Sequence, residues 1–464
     1  MGICGTGMAA LAGALKELGY KVTGSDRAAY PPMSTFLEQL GISVFLGFDP
    51  RNLQPRPDLV VVGNVIRREN PEIAELARLQ VPFASFPQAL NHFVINGKKR
   101  IVIAGTHGKT TTSSLVAWIL ESSGLDPGFM IGGIPLNFQK GFKLGEGSYF
   151  VVEGDEYDTA FFDKGPKFFH YRPYILVLTS IEFDHADIYE NLRQIRGNFE
   201  MLISMVPPHG HIVANWDDPL VRELATAAPC PVHYYGIRKA RDWYIESISR
   251  QAGISSLVVV SPTGERRTYS TPLYGRHNFS NLLAAVVVAH VLGLDQQDVH
   301  RAVKKFRGVK RRQELMGEAQ GILVLDDFAH HPTAVRETVR AVKEAFPDRR
   351  LIAVFEPRSN SSRRNVFQEQ YARSFDAADL IMIPEPRMLE SIPPDQRFSS
   401  MRLVQDLKRQ GKPAYCAPDF EALLPLLLEK TRSSDVVLFM SNGDMDGLPG
   451  RFLESLQPRP ADST

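Results

Sequence analysis

Residues 100–120 read RIVIAGTHGKTTTSSLVAWIL: a short apolar run, a turn carrying two glycines, then a helical pattern. Few features narrow a fold as much. A buried strand that ends in glycines and feeds straight into a helix belongs to an open sheet covered by helices, with the turn at the sheet's carboxyl edge. The turn also carries chemistry. Glycines let successive backbone N–H groups face one anion, and the helix N-terminus adds a favourable dipole. Gly105, Thr106, His107, Gly108, Lys109, Thr110 and Thr111 are therefore the expected phosphate loop, with Lys109 as the point charge for β- and γ-phosphates and Thr110 placed for Mg²⁺. The loop is shorter than the general nucleotide-binding pattern, whose first glycine would fall at Ile103. Its ordinary alternative is a strand-to-helix turn with a solvated lysine.

A magnesium nucleotide needs oxygen ligands. The stretch SYFVVEGDEYDTAFF supplies Glu153, Asp155, Glu156 and Asp158 at the end of another expected strand, and Glu153 is the leading metal candidate. SIEFDHADIY adds Asp184 and His185 from the next strand end; imidazole is an unusual magnesium ligand, so His185 alone reads more simply as structural. A second glycine turn, GICGTGMAA, opens the chain. Gly5, Gly7 and Ala10 have dinucleotide-fingerprint spacing, and Asp26 follows at the distance of about 20 residues where an acidic group holds a ribose. Only Met1 precedes Gly2, leaving no room for a feeding strand of about five or six residues. This domain is expected either to lack that strand or to start upstream.

The length of 464 residues suggests three domains at about 150 residues each. Three stretches restart an alternation of apolar runs and helical patterns, giving expected divisions at 1–95, 96–310 and 311–464, with NHFVINGKK (91–99) as the first linker. The second stretch holds the strands RIVIA, SYFVVE, YILVLTS and GHIVAN, then β-like alternation over 242–274 and a long apolar helix after YGRHNFSN. The third holds four strand-like runs, within GILVLDDFAHH, RLIAVFEP, ADLIMIP and DVVLFMSNG. A net charge of +1 creates no global field for nucleic acid or an anionic membrane, so neither is an expected partner. The longest apolar stretch, LLAAVVVAHVLG, is too short to span a bilayer, and no signal peptide is expected. Three scattered cysteines suit a reducing cytoplasm better than a disulfide framework or a zinc site.

With AGTHGKTTT, EGDEYD, EFDHADIY, YGRHNFSN and DDFAHHPTAV in this order, the chain resembles the Mur ligase family of ATP-dependent peptidoglycan-precursor ligases over nearly its whole length. The resemblance implies an α/β chain of three domains: a Rossmann-like N-terminal domain for the UDP-sugar, a P-loop ATPase central domain, and a Rossmann-like C-terminal domain for the incoming amine. Within the family, YPPMSTFLEQLGI, FEPRSN and MSNGD are similar to the branch that joins recycled L-alanyl-γ-D-glutamyl-meso-diaminopimelate, the murein tripeptide, to UDP-N-acetylmuramate. The neighbouring branch, which adds L-alanine alone, is the alternative. An oxidoreductase built on GICGTGM, or a regulatory protein with a dead ligase site, would leave Lys109, Glu153 and His185 without a use.

Residue roles follow from the matched motifs. Lys109, Glu153 and His185 would be catalytic, with Thr110 and Glu153 on one Mg²⁺ and His185 on a second. His277, Asn278 and Asn281 would meet the adenine end of ATP, though Asn278 could equally cap the apolar helix. Arg312, Asp327 and His330 would close over phosphates and ribose; an exposed basic run is the plainer reading of Arg311 and Arg312. Gly5, Thr6, Gly7, Met8 and Asp26 would hold the UDP-sugar, and Arg358, Ser359 and Asn360 the tripeptide. Asp444 and Asp446 stand where the family turn is richer in glycine. DIYENLRQIRGNF has no lysine for the carbamylated side chain that several relatives carry.

Overall fold

A computed structural model describes residues 1–29, 33–184, 188–390 and 392–457. The N-terminal part has two short parallel ladders, β1 (Thr23–Asp26) with β2 (Ser43–Leu46) and β3 (Val60–Val62) with β4 (Phe83–Ser85). Residues 1–3 lie between the ladders. The Gly2 and Ile3 N–H groups donate to the Ser25 carbonyl, and Met1 exchanges bonds with Val61 and Gly63. No strand precedes helix α1 (Thr6–Glu17) among the described residues, and the backbone of residues 1–3 takes that place between β1 and β3.

The middle of the chain builds one ten-stranded sheet. In chain order its strands are β5 (Lys99–Ala104), β6 (Gly128–Met130), β7 (Phe142–Lys143), β8 (Tyr149–Gly154), β11 (Ile175–Leu178), β12 (His211–Asn215), β13 (Val232–Gly236), β14 (Trp243–Gln251), β15 (Ile254–Val260) and β16 (Arg266–Thr271); a separate hairpin joins β9 (Asp158–Ala160) to β10 (Asp163–Pro166). The spatial order is β16-β15-β14-β13-β12-β11-β5-β8-β6-β7. The sheet is mixed rather than parallel throughout: β15, β16 and β7 run antiparallel to their neighbours. Helices α2 (Lys109–Ser122) and α3 (Arg276–Val291) cover one face, where Leu115, Ile119, Leu283 and Val287 pack on Ile101, Ile103 and Val177. The apolar run in α3 is buried on nearly every side, sandwiched between sheet and helices, and each such Leu or Val contributes roughly 2 kcal/mol.

The opposite face of the sheet receives α1. Ala10, Leu11 and Ala14 share a cluster with Val102, Phe142 and Phe150. The segment expected as a linker is part of that cluster: Asn91–Ile95 forms a turn of π-helix, and Val94 and Ile95 are buried. Apolar side chains at both positions gain more from the sheet face than from solvent, so the first half of the expected linker 91–99 is packed against the sheet.

The C-terminal sheet has six strands, β17 (Glu314–Ala319), β18 (Ile322–Asp327), β19 (Leu351–Phe355), β20 (Leu380–Pro384), β21 (Ala414–Ala417) and β22 (Val436–Met440), in the order β17-β18-β22-β19-β20-β21. Only β17 is antiparallel to its neighbour. Both faces are covered, one by α4 (Pro332–Ala345) through Val335 and Val339, the other by helices carrying Phe420, Leu427 and Phe452. The two strands beyond the four expected runs, β17 and β21, are edges; ELMGEA and AYCA lack a long apolar run because one side of each is unpaired.

Candidate active site

Strand β5 lies between β8 and β11, so the loop after it is walled by the ends of both neighbours. Gly105 and Gly108 have φ of 135° and 81°, and Gly108 is the N-cap of α2. The β11 side ties the loop down. The Thr106 N–H donates to the Ser180 carbonyl (2.7 Å), the His107 N–H donates to Ser180 Oγ (3.1 Å), and Thr179 Oγ1 donates to the His107 carbonyl (2.6 Å).

The β8 side supplies the acids. Lys109 Nζ donates to the Gly105 carbonyl (2.7 Å) and pairs with Glu156 (2.9 Å), with Asp155 at 4.0 Å. Burial works against its charge, but Glu156 and Asp155 outweigh it and the net shift is upward. Thr110 Oγ1 donates to Glu153 Oε2 at 3.2 Å, and the Gly132 N–H donates to Oε1 at 2.7 Å. Burial, reinforced by Asp155, pushes the Glu153 carboxyl up to about 7 despite Lys109. A half-buried carboxylate beside a hydroxyl, with Asp155 close enough to repel it, is an oxygen-rich setting that suits a hard divalent cation and would be relieved by one.

The third domain reaches the same point. Arg312 Nη2 donates to Thr110 Oγ1 at 3.3 Å, and its guanidinium lies over the Phe328 ring at 4.5 Å. Burial lowers its pKa against the pull of Asp327 and Glu153. Arg311 bonds Asp326 (3.1 Å), the Ser441 carbonyl (2.8 Å) and the Gly443 carbonyl. Neither arginine is a solvated basic residue, because each is committed to a buried partner.

His277, Asn278 and Asn281 lie within α3, whose N-cap is Gly275, so Asn278 does not cap the helix. Asn278 Nδ2 instead donates to the Tyr274 carbonyl and to Gln313 Oε1 (3.0 and 2.9 Å), and Asn281 sits against Gly108. Among the described residues His277 Nδ1 is buried with no hydrogen-bond partner, and burial pulls its pKa down to about 4. An orphaned ring nitrogen beside a phosphate loop fits a nucleotide ligand. Asp327 accepts from the Gln313 and Ala329 N–H groups (2.7 Å each), so both its oxygens already hold local backbone, and His330 Nδ1 lies 3.0 Å from the Phe328 carbonyl. His185 lies outside the described residues.

The remaining candidates form two separate places. Gly5 is the N-cap of α1, and Thr6, Gly7 and Met8 open that helix; Asp26 accepts from the Cys4 and Arg27 N–H groups (2.7 Å each) and so closes the turn. Arg358 pairs with Asp444 at 3.3 Å and packs on Gly443, while Arg387 pairs with Asp446 at 2.5 Å. Ser359 Oγ bonds Ser362, and Asn360 Oδ1 accepts from Arg363, so these two hold their own loop.

Sequence reasoning missed a cross-domain contact. Thr333 Oγ1 at the start of α4 donates to Glu182 Oε2 (2.8 Å), and His331 and His107 flank the same carboxylate. Burial would raise the Glu182 pKa, but the bonds from His107 and Thr333 bring it down to about 2. The adjacent Glu182 of SIEFDHADIY and the doubled histidine of DDFAHH were the available signals.

Comparison with known proteins follows the same three parts. Residues 1–97 match "Mur ligase family, catalytic domain", 103–289 "Mur ligase middle domain", and 311–443 "Mur ligase, glutamate ligase domain". Proteins named UDP-N-acetylmuramate:L-alanyl-gamma-D-glutamyl-meso-2,6-diaminoheptandioate ligase, from Haemophilus influenzae and Escherichia coli, are 37% and 38% identical over 459 and 457 residues; the matches cover 98% of this chain in each case, and 98% and 97% of the relatives. A solved murein peptide ligase from Psychrobacter arcticus 273-4 is 35% identical, superposes with a TM-score of 0.75, and matches over 99% of this chain and 98% of its own.

Proposed function

The chain belongs to the Mur ligase family, and from that premise we propose that it joins L-alanyl-γ-D-glutamyl-meso-diaminopimelate to UDP-N-acetylmuramate at the expense of ATP, in the recycling of cell-wall peptide. The observation that carries the reading is the meeting of Thr110, Glu153 and Arg312 at one point beside Lys109, two cations and a hydrogen-bonded hydroxyl and carboxyl, drawn from two domains, around a phosphate loop. The choice of tripeptide over L-alanine rests on the 37% and 38% identical relatives.

In this reading the γ-phosphoryl group passes to the lactyl carboxylate, the alanyl amine attacks the acyl phosphate, and inorganic phosphate leaves as the amide forms. Bringing a carboxylate to a triphosphate sets anion against anion, so cations must be fixed in place before proximity can help. Lys109 exchanges Glu156 for the phosphates, and Arg312 closes from the third domain. Thr110 and Glu153 would hold one Mg²⁺ and His185 a second, and the ions would add positive charge where the phosphoryl group moves. His277, Asn278 and Asn281 take the adenine end, with Asp327 and His330 on the ribose side and Gly105, Thr106, His107, Gly108 and Thr111 completing the loop.

Gly5, Thr6, Gly7, Met8 and Asp26 hold the UDP-sugar. Arg358 leaves Asp444 for a tripeptide carboxylate, with Ser359 and Asn360 shaping its loop. The working domains are 1–95, 96–310 and 311–464. The substrates place the reaction in the cytoplasm, and no helix among the described residues is long and apolar enough to cross a membrane. The test is phosphate release with ATP, Mg²⁺ and UDP-N-acetylmuramate, comparing the tripeptide with L-alanine and identifying products by mass. Tripeptide-dependent turnover yielding the UDP-muramyl-tripeptide is expected; turnover with L-alanine alone would overturn the substrate assignment.

A further inference from the structure

Three side chains from three segments converge beside the phosphate loop, and two of them, Glu182 and His331, have no role in the ligase chemistry proposed above. His107 comes from the loop, Glu182 from the stretch after β11, and His331 from the N-cap of α4 in the third domain. His107 Nε2 is 3.3 Å from Glu182 Oε2, and His331 Nδ1 is 3.7 Å from the same oxygen. One ligand atom from each residue lies within 4.8 Å of the other two, and the imidazole centroids are 4.9 Å apart. Around a tetrahedral zinc ion with bonds of about 2.1 Å, ligand atoms stand roughly 3.4 Å from one another. Two of the three pairs are already near that spacing.

The surroundings orient these donors. His331 Nε2 lies 3.2 Å from the Phe183 carbonyl, an acceptor that keeps the ring proton on Nε2; the Nδ1 lone pair accepts from the Thr333 N–H at 3.3 Å, a bond that an ion beside Glu182 would displace. Thr333 Oγ1 fixes the carboxylate through its 2.8 Å bond. His331 is buried, whereas the side chains of His107 and Glu182 are 25% and 36% exposed, so one side of the cluster is open to an entering ion and to a fourth ligand. Two imidazoles and one carboxylate are the wrong donors for magnesium, which prefers oxygen, and the right ones for zinc and its neighbours.

We propose that His107, Glu182 and His331 form a site for one zinc-class divalent ion, separate from the oxygen-lined pair Thr110 and Glu153, and that the ion ties the phosphate-loop domain to the third domain. The fourth position is taken by water or by an anionic ligand. This site does not depend on which peptide the enzyme accepts.

The test uses the full-length protein, stripped with chelator and held in excess Mg²⁺ so that oxygen-only sites are filled, and titrated with Co²⁺ as a visible probe that Zn²⁺ then displaces. One equivalent of cobalt with the absorption of a low-coordinate nitrogen-ligated ion is expected. His107→Gln and His331→Asn should each weaken binding at least about tenfold. Asparagine keeps the cap, since its side chain can still accept from the Thr333 N–H, so loss of binding there reflects the imidazole rather than a frayed helix. His233→Gln, in the other close histidine pair (3.3 Å from His211), should change nothing. Zn²⁺ should also raise the unfolding temperature of the parent protein and not of the two site variants. Absence of stoichiometric cobalt binding, or a cobalt spectrum that survives both site variants, overturns the proposal.

Discussion

Arg312 Nη2 stands 3.3 Å from Thr110 Oγ1 across 202 residues of sequence, and Thr110 Oγ1 stands 3.2 Å from Glu153 Oε2. One hydroxyl thus sits between a third-domain cation and the Glu153 carboxyl. Arg312→Ala should lower kcat on the order of 100-fold, with the UDP-sugar KM little changed, because the cation acts on charge that develops during phosphoryl transfer. Lysine should recover only part of the loss, since it lacks the planar fork that stacks on Phe328. Steady-state phosphate release on the two variants checks this, and a kcat near that of the parent for Arg312→Ala would remove Arg312 from the reaction.

Gly108 has φ of 81° and faces Asn281 Oδ1, which a methyl group at this position would strike. Gly108→Ala should cost about 1–2 kcal/mol of stability and abolish ATP binding, because the loop cannot turn its amides to the phosphates without that backbone angle. Chemical denaturation and nucleotide titration measure the two effects separately.

The Arg358–Asp444 pair predicts opposite effects on the tripeptide. Arg358→Ala should raise the tripeptide KM at least about tenfold, the loss of a charge-assisted bond worth roughly 1.5–3 kcal/mol. Asp444→Asn should lower it or leave it unchanged, since it removes the carboxylate that a peptide bound at Arg358 would have to displace. A tripeptide KM insensitive to Arg358→Ala would place peptide recognition elsewhere.

Asp326 gives a pH dependence. Burial, opposed by Arg311, holds its carboxyl at about 6 instead of 3.8. The folded state therefore keeps a proton that the unfolded chain has lost between those values, so this group's contribution to stability falls as pH rises from about 4 to about 6. Asp326→Asn should flatten the pH dependence by on the order of 2–3 kcal/mol across that window. Denaturant midpoints of both proteins at the two ends measure the difference; parallel curves would count against it.

Much of the architecture was legible where one local pattern meant one thing. The strand, glycine turn and helix over 100–120 could be read because a buried strand, two positive-φ glycines and an apolar helix each leave a mark of their own. The edge strands β17 and β21 leave no such mark, being half-paired and mixed in polarity. The π-helical turn at Asn91–Ile95 resembled a linker because its polar residues and a following glycine hide two apolar anchors. Arg311 and Arg312 looked like any surface basic pair until Asp326 and Phe328 were in place to engage them. For the His107, Glu182 and His331 cluster the sequence offered the residues but not their meeting, since three segments separated by tens of residues come together only after two domains have packed.

The position of β5 between β8 and β11 also bears on how the chain is made. Both partners of the strand that carries the phosphate loop come later in the sequence, so a nascent chain released only as far as β8 has one wall of the crevice and an unpaired, fully apolar strand edge along Ile101, Val102 and Ile103. That edge is sealed only when Ile175–Leu178 has emerged. Synthesis thus passes through an interval in which the loop exists without a floor, and the exposed strand is the segment that a chaperone, or a second copy of the same chain, would capture first.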